Sequence, residues 1–183
     1  MKILPFRTPA ERPYSEAVYS ALLANLDALY STAKRLLGRA DLAEDLVQET
    51  ARKAIEGIAT LQHERNTKAW LFRILLNGIR DQARRKNRWT EVDPDEHALF
   101  LAVPENMEGV TTEDVRRALS SLTPDIRAVA ILIDIEEFTI AETAAMLRIP
   151  PGTAASRLSR ARRELRELLH AYRSGSARSG GTA

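Results

Sequence analysis

Thr139-Ile140-Ala141-Glu142-Thr143-Ala144-Ala145-Met146-Leu147-Arg148-Ile149-Pro150-Pro151-Gly152-Thr153-Ala154-Ala155-Ser156-Arg157-Leu158 is the stretch from which the architecture is read. Thr139 with Glu142 three residues on forms a capping box, which satisfies two backbone amides at a helix start. Ile140, Ala144 and Leu147 share one face of that helix, and Ala144 is small where a second helix must cross closely. Arg148 to Gly152 cannot continue the helix, because proline lacks the amide and its ring clashes with the preceding turn. Thr153 then opens a second helix whose apolar side is Ala154, Leu158, Ala161, Leu165 and Leu168. A capped helix, a tight turn and a second helix with a basic face make the helix-turn-helix pattern. Arginine there can hold phosphates or fork onto a guanine edge, and small serines let the helix enter a groove. The candidate contacts with duplex DNA are Thr153, Ala155, Ser156, Arg157, Ser159, Arg160 and Arg163. The alternative is a plain helical hairpin with a solvated basic side.

Upstream of the motif the apolar spacing is also helical, and no run alternates as a half-buried strand does. A first helix is predicted from Ser15, with Val18, Leu22, Leu26, Leu29, Ala33 and Leu36 inward and Gly38 as its stop. Asp41 opens a second, with Glu44 in a capping-box-like position and Leu42, Leu46, Ala54, Ile55 and Ile58 buried. Asn66 or Thr67 starts a third. Its core stripe is Leu71, Ile74, Leu75, Gly78 and Ile79. A second stripe on it is Trp70, Arg73, Asn77, Asp81, Arg84 and Arg88, an aromatic with amides and cations that suits single-stranded bases and their phosphates. Taken alone, Trp70 would sooner be a core residue. From Trp89 to Thr112 the periodicity is lost, Pro94, Pro104 and Gly109 interrupt, and acidic residues accumulate. Helical spacing resumes at Val115, Leu119 and Leu122, and Thr123-Pro124 marks another start.

These readings predict an all-α chain of two small helical domains joined by a flexible linker. The expected divisions are an N-terminal extension at 1–14, a first domain at 15–89, a linker at 90–111, a second domain at 112–173 and a disordered tail at 174–183. The whole is 183 residues long, enough for two such domains. It holds no cysteine, which excludes disulfides and thiolate metal sites. His63, His97 and His170 are scattered, and the Asp93-Pro94-Asp95-Glu96-His97 cluster falls in the acidic linker, so no metal and no cofactor is expected. No phosphate loop or nucleophile elbow appears, so catalysis has no visible carrier. No apolar run reaches bilayer length and the N-terminus does not read as a leader, which predicts a cytoplasmic protein with no membrane insertion. Net charge is only +2, yet cations cluster at Arg80 to Arg88 and Arg157 to Arg166, as two contacts with one polyanion would require.

Three segments resemble one known family in its own order. Asp125 to Leu169, and notably Ile149 to Arg162, closely resembles region 4 of the extracytoplasmic-function (ECF) sigma factors of bacterial RNA polymerase. Asp41-Leu42-Ala43-Glu44-Asp45-Leu46-Val47-Gln48-Glu49-Thr50 looks like region 2.2, and Ala69-Trp70-Leu71-Phe72-Arg73-Ile74-Leu75-Leu76-Asn77 like regions 2.3 and 2.4. The resemblance implies that the first domain binds core RNA polymerase and opens the −10 element as a single strand, while the second reads the −35 duplex. Asp45, Leu46, Gln48 and Glu49 are then the polymerase-binding candidates, and Leu61 to Asn66 corresponds to a loop that captures a flipped −10 base. Two departures stand out. Ala155 replaces a frequent Lys or Arg, and Ile135-Glu136-Glu137-Phe138 replaces a glycine-containing turn. The short linker suggests an anti-sigma protein that holds the domains together and masks both DNA faces. The rival reading is a helix-turn-helix regulator that acts on duplex DNA without polymerase.

Overall fold

The computed structural model describes residues 12–57, 66–86 and 110–179. Every regular element among them is helical. The chain divides into two compact units, one of residues 1–33 with 41–92, the other of 34–40 with 93–183. The extension before residue 12, the loop from Leu61 to Arg65, and Arg88 lie outside the described residues, as does most of the expected linker.

The first unit contains most of α1 (Arg12–Leu37), α2 (Ala40–Glu56) and α3 (Thr67–Lys86). Helix α1 starts three residues earlier than expected, since a proline in the first turn loses no intrahelical bond. Its buried stripe is Val18, Leu22, Leu29, Thr32 and Ala33, while Leu26 is 43 % exposed. The stripe is thus the expected one except at Leu26, and Thr32 joins it as an inward residue. Gly38 ends the helix at φ +70°, with its amide donating to Lys34 O at 2.8 Å. Helix α2 begins at Ala40, so Asp41 stands within its first turn and meets the helix dipole there. It buries Ala43, Leu46, Val47, Thr50 and Ala54, and the Thr50 hydroxyl donates to Leu46 O at 2.7 Å. Ile58 lies outside the described residues. Helix α3 is buried on most sides, with Trp70, Leu71, Phe72, Leu75 and Leu76 all in the core. Gly78 lets α3 lie close against α2: a Cβ placed on it would lie 2.5 Å from Leu46 Cδ1.

The second unit contains α4 (Thr112–Ser121), α5 (Pro124–Ala130) continuing into a π-helical turn at Ile131–Ile135, α6 (Ile140–Leu147) and α7 (Pro151–Ser179). Thr111 and Asp114 cap α4 reciprocally. Leu119, Leu122, Ile126, Ala130, Ile131 and Ala161 form its core. Arg127 reaches back to donate to Leu122 O at 2.8 Å, and so closes an orphan carbonyl at the end of α4. Helix α7 runs on to Ser179, six residues into the stretch expected to be a disordered tail. Those six residues contain no proline, and a helix already nucleated extends at little cost.

The turn before α6 forms without glycine. Glu137 takes the left-handed conformation at φ +61°, while the Glu136 and Phe138 amides close the π-helical turn on Ile131 O and Leu132 O, both at 3.0 Å. The Glu136 carboxylate is buried, 3.7 Å from Arg35 Nη1, which resolves the unusual charge of this segment. Burial lowers the pKa of Arg35, and the Glu136 charge opposes that shift. A left-handed residue other than glycine costs about 1–2 kcal/mol, and the freedom glycine has when unfolded offsets about half of the difference. Glu137→Gly is therefore expected to stabilise the second unit by about 0.5–1 kcal/mol in urea unfolding. A destabilised variant would show that the glutamate side chain itself holds the turn.

Candidate nucleic-acid and polymerase interfaces

The helix-turn-helix is built as the spacing predicts, with local shifts. The Thr139 amide and hydroxyl donate to Glu142 Oε2 at 2.9 and 2.8 Å, and the Glu142 amide donates to Thr139 Oγ1 at 3.2 Å. Thr143, Ala144 and Met146 form the buried side of α6, whereas Ile140, expected inward, is exposed. Ala144 lies inward as expected and Leu147 is half-buried, so the buried side overlaps the expected stripe and is shifted toward Thr143. Arg148 ends α6 in the left-handed conformation, and the Ile149 amide donates to Ala144 O at 3.0 Å, a bond that spans the reversed turn. Helix α7 then begins at Pro151, two residues before Thr153, because the fixed φ of proline suits a first helical position.

The two sides of α7 divide by residue type. Ala154, Leu158 and Ala161 are buried, and the small Ala144 and Ala154 both lie in the core. Ala155, Ser156, Ser159, Arg160 and Arg163 are exposed, Thr153 and Arg157 half-buried. The Ser156 hydroxyl donates to Thr153 O at 3.0 Å. The arginines carry counter-charges that the linear pattern did not show. Arg157 Nη2 donates to Asp125 Oδ2 at 2.8 Å, Arg160 Nε to Glu164 Oε1 at 2.6 Å, and Arg162 Nη2 to Asp134 Oδ1 at 2.6 Å. The pairing with Asp134 raises the pKa of Arg162. Asp125 and Asp134 lie some thirty residues upstream of their partners, beyond the reach of any helical-spacing argument.

On α2 the polar face is narrower than expected. Asp45 and Gln48 are exposed, but Leu46 is 2 % exposed and belongs to the core against Gly78. Leu46 was named both in the buried stripe and among the polymerase-contacting candidates, and it takes the buried place. Glu49 is paired within its own helix: Arg52 Nε donates to Glu49 Oε2 at 2.7 Å, and Lys53 Nζ lies 3.4 Å from Glu49 Oε1. The hydrogen bond from Arg52 leads in pulling the Glu49 carboxyl down to about 2. A lowered carboxyl pKa means that the pairing is present above the ordinary carboxylate range and is lost only as pH falls toward that value.

On α3 the stripe headed by Trp70 divides. Trp70 is 4 % exposed, a core residue, and not an open platform for bases. Six of the first twelve residues of α3 are buried, so no wide solvent edge is left to its first turn. Arg73 and Asn77 are half-buried and Asp81 is exposed, while the side chains of Arg84 and Arg88 lie outside the described residues. Arg80 Nη1 donates to Asn77 Oδ1 at 3.1 Å. Beside Trp70 is a cleft of about 250 Å³ lined also by Lys53, Gly57, Ile74 and Asn77. Lys53 and Gly57 join this cleft from α2 and its end, a neighbourhood the sequence did not show, because one-dimensional spacing does not say which helix lies alongside another. Among the described residues no cluster has the make-up of a metal site, and no helix is long and apolar enough to cross a membrane.

Comparison with known proteins identifies the family. Residues 22–90 match the family model of sigma-70 region 2, and residues 112–165 that of sigma-70 region 4. The ECF RNA polymerase sigma factor EcfG of Rhodopseudomonas palustris is 35 % identical over 159 residues, which span 86 % of this chain and 88 % of the relative. SigE of Mycolicibacterium smegmatis, another ECF RNA polymerase sigma factor, is 32 % identical over 190 residues, covering 93 % and 74 %. Among solved structures, the sigma factor RpoE of Bartonella quintana, in complex with the anti-sigma factor NepR, matches with a TM-score of 0.70 and 34 % identity over 83 % of this chain and 96 % of that one. Two region models in order and relatives of similar length place the chain in the extracytoplasmic-function family of sigma-70-type RNA polymerase sigma factors.

Proposed function

We propose that this sigma factor binds core RNA polymerase through the polar face of α2, meets the −10 strand along α3, and reads the −35 duplex with α7. The observation that carries the reading is the division of α7: Ala154, Leu158 and Ala161 face the core while Ser156, Ser159, Arg160 and Arg163 are left to solvent. Such a helix is held rigidly on one side and can enter a major groove with the other. The polymerase contact rests on Asp45, Gln48 and Glu49, the −10 contact on Arg73, Asn77 and Asp81 with Arg84 and Arg88, and the −35 contact on Thr153, Ala155, Ser156, Arg157, Ser159, Arg160 and Arg163. The cleft of Lys53, Trp70 and Asn77 gives the −10 strand a place where an unpaired base meets an indole edge, an amide and a cation.

The working domains in this reading are 15–89 and 112–173, with 90–111 between them. The likeness to a sigma factor held by NepR supports control by an anti-sigma protein. The chain acts in the cytoplasm and is not itself an enzyme; polymerase supplies the chemistry.

Run-off transcription with purified core polymerase and promoter DNA tests the reading. Arg160→Ala is expected to cut −35-dependent initiation about tenfold or more, equivalent to about 1–3 kcal/mol for a base-edge contact, and to leave core binding intact. Loss of core binding instead would overturn the assignment of the two units. A protein that binds duplex DNA tightly alone and never starts transcription with a matching core would be a regulator of the ordinary helix-turn-helix kind.

A further inference from the structure

Between the start of α5 and the first turns of α7 lies a cleft of about 340 Å³ lined by Thr123, Asp125, Ile126, Ser156, Arg157 and Arg160. Three of these, Ser156, Arg157 and Arg160, belong to the DNA-facing side of α7. Asp125 is the acidic member of the cleft, and its carboxylate accepts a hydrogen bond from Arg157 Nη2 at 2.8 Å. Asp125 is 71 % exposed at its side chain and Arg157 only 28 %. Asp125 is therefore the more exposed member of the pair. A phosphate or a guanine edge that takes up Arg157 Nη2 must compete with that carboxylate.

We propose that Asp125 is a specificity-determining residue, an internal counter-ion that holds Arg157 until a fitting duplex takes the guanidinium over. The inference rests on the reading of the α7 face as the −35 contact. The physical argument is one of competition. Nonspecific binding comes almost entirely from cations that meet phosphates, and each phosphate neutralised adds about 0.9 to the slope of log K against log salt. An arginine already paired gains little from a random phosphate, since one exposed ion pair is exchanged for another of similar strength. It gains more from a duplex that offers two acceptors in the forked geometry of guanidinium. Asp125 thus weakens binding to random sequence more than binding to the correct one. Its position in the first turn of α5 also suits the helix dipole, so a purely structural role must be told apart by measurement.

The experiment uses the full chain and two probes: a short mixed-sequence duplex, and a duplex enriched from that mixture by the wild-type protein. Asp125→Asn keeps the side-chain shape and removes the charge. It is expected to bind the mixed duplex about two- to fivefold more tightly, the range of one exposed ion pair, with a salt slope steeper by about one. Its preference for the enriched duplex should fall by a similar factor. In the Arg157→Ala background the same change is expected to have no effect, because no guanidinium remains to be released. Unchanged mixed-duplex binding by Asp125→Asn overturns the proposal. So does an equal gain in the Arg157→Ala background, which would mean simple charge repulsion, or weaker binding to the enriched duplex, which would make Asp125 a direct base contact. A wild type that enriches no sequence overturns the specificity claim. If the combined Arg157→Ala, Arg160→Ala and Arg163→Ala variant binds both probes as the wild type does, the reading of the α7 face itself has failed.

Discussion

Trp70→Ala is expected to destabilise the first unit by about 3–5 kcal/mol, the usual cost of emptying a buried aromatic site. For a unit of this size that corresponds to a fall of roughly 15 °C or more in its melting midpoint. The indole is 4 % exposed and stands beside Leu71, Phe72, Leu75 and Leu76 in the same crowded stretch of α3. Its accessible edge opens on the cleft with Lys53 and Asn77, so promoter opening should be lost together with the fold. Trp70→Phe separates the two effects. Phenylalanine refills most of the volume and should restore most of the melting temperature, while the cleft loses the indole edge. Calorimetry combined with permanganate footprinting of the −10 region checks this. A Trp70→Ala protein that melts like the wild type yet cannot open the promoter would mean that the indole works from the surface, against its burial here.

The second large effect separates neighbours in α2. Leu46→Ala is expected to cost about 2–5 kcal/mol, because it removes the side chain that fills the space over Gly78 and leaves a cavity where α2 and α3 cross. Asp45→Ala combined with Gln48→Ala should change stability by no more than about 0.5 kcal/mol per site, as exposed replacements usually do. Binding to core polymerase should show the converse. The double variant is expected to lose it while fully folded, and Leu46→Ala only to the extent that the unit unfolds. Urea unfolding alongside a pull-down of core polymerase measures both. Should Leu46→Ala keep wild-type stability and still fail to bind, the leucine would be a direct contact and its buried position would not describe the working protein.

The helices were legible because their signals are local. Capping at Thr139 and Glu142, the proline stop after Arg148 and the stop at Gly38 each act within a few residues, and each is present. The division of α7 into apolar and basic sides was equally legible, since its period is set by helix geometry. Boundaries moved by two or three residues where a proline allowed an earlier start, at Pro13 and Pro151.

Rotation of a helix about its axis was less legible. Ile140 was assigned inward and is exposed, because two adjacent stripes differ little in apolar content and only the facing helix chooses between them; on α1 the expected stripe is buried and Leu26 alone is 43 % exposed. Trp70 shows the same limit from the other side. Its spacing with Arg73 and Asn77 is real, but burial is decided by what surrounds α3 and not by the order of residues along it.

By itself, then, the sequence determined an all-helical chain, the helix-turn-helix with its basic face, and the family, since each rests on short-range patterns of residue type. Only the tertiary structure decided that Trp70 lies inside despite the polar stripe it heads, that Glu137 turns the chain without glycine, and that Asp125 and Asp134 hold arginines of α7 from some thirty residues away. Those outcomes depend on which surfaces meet when helices pack. A charge that waits across such a contact leaves no mark on local periodicity.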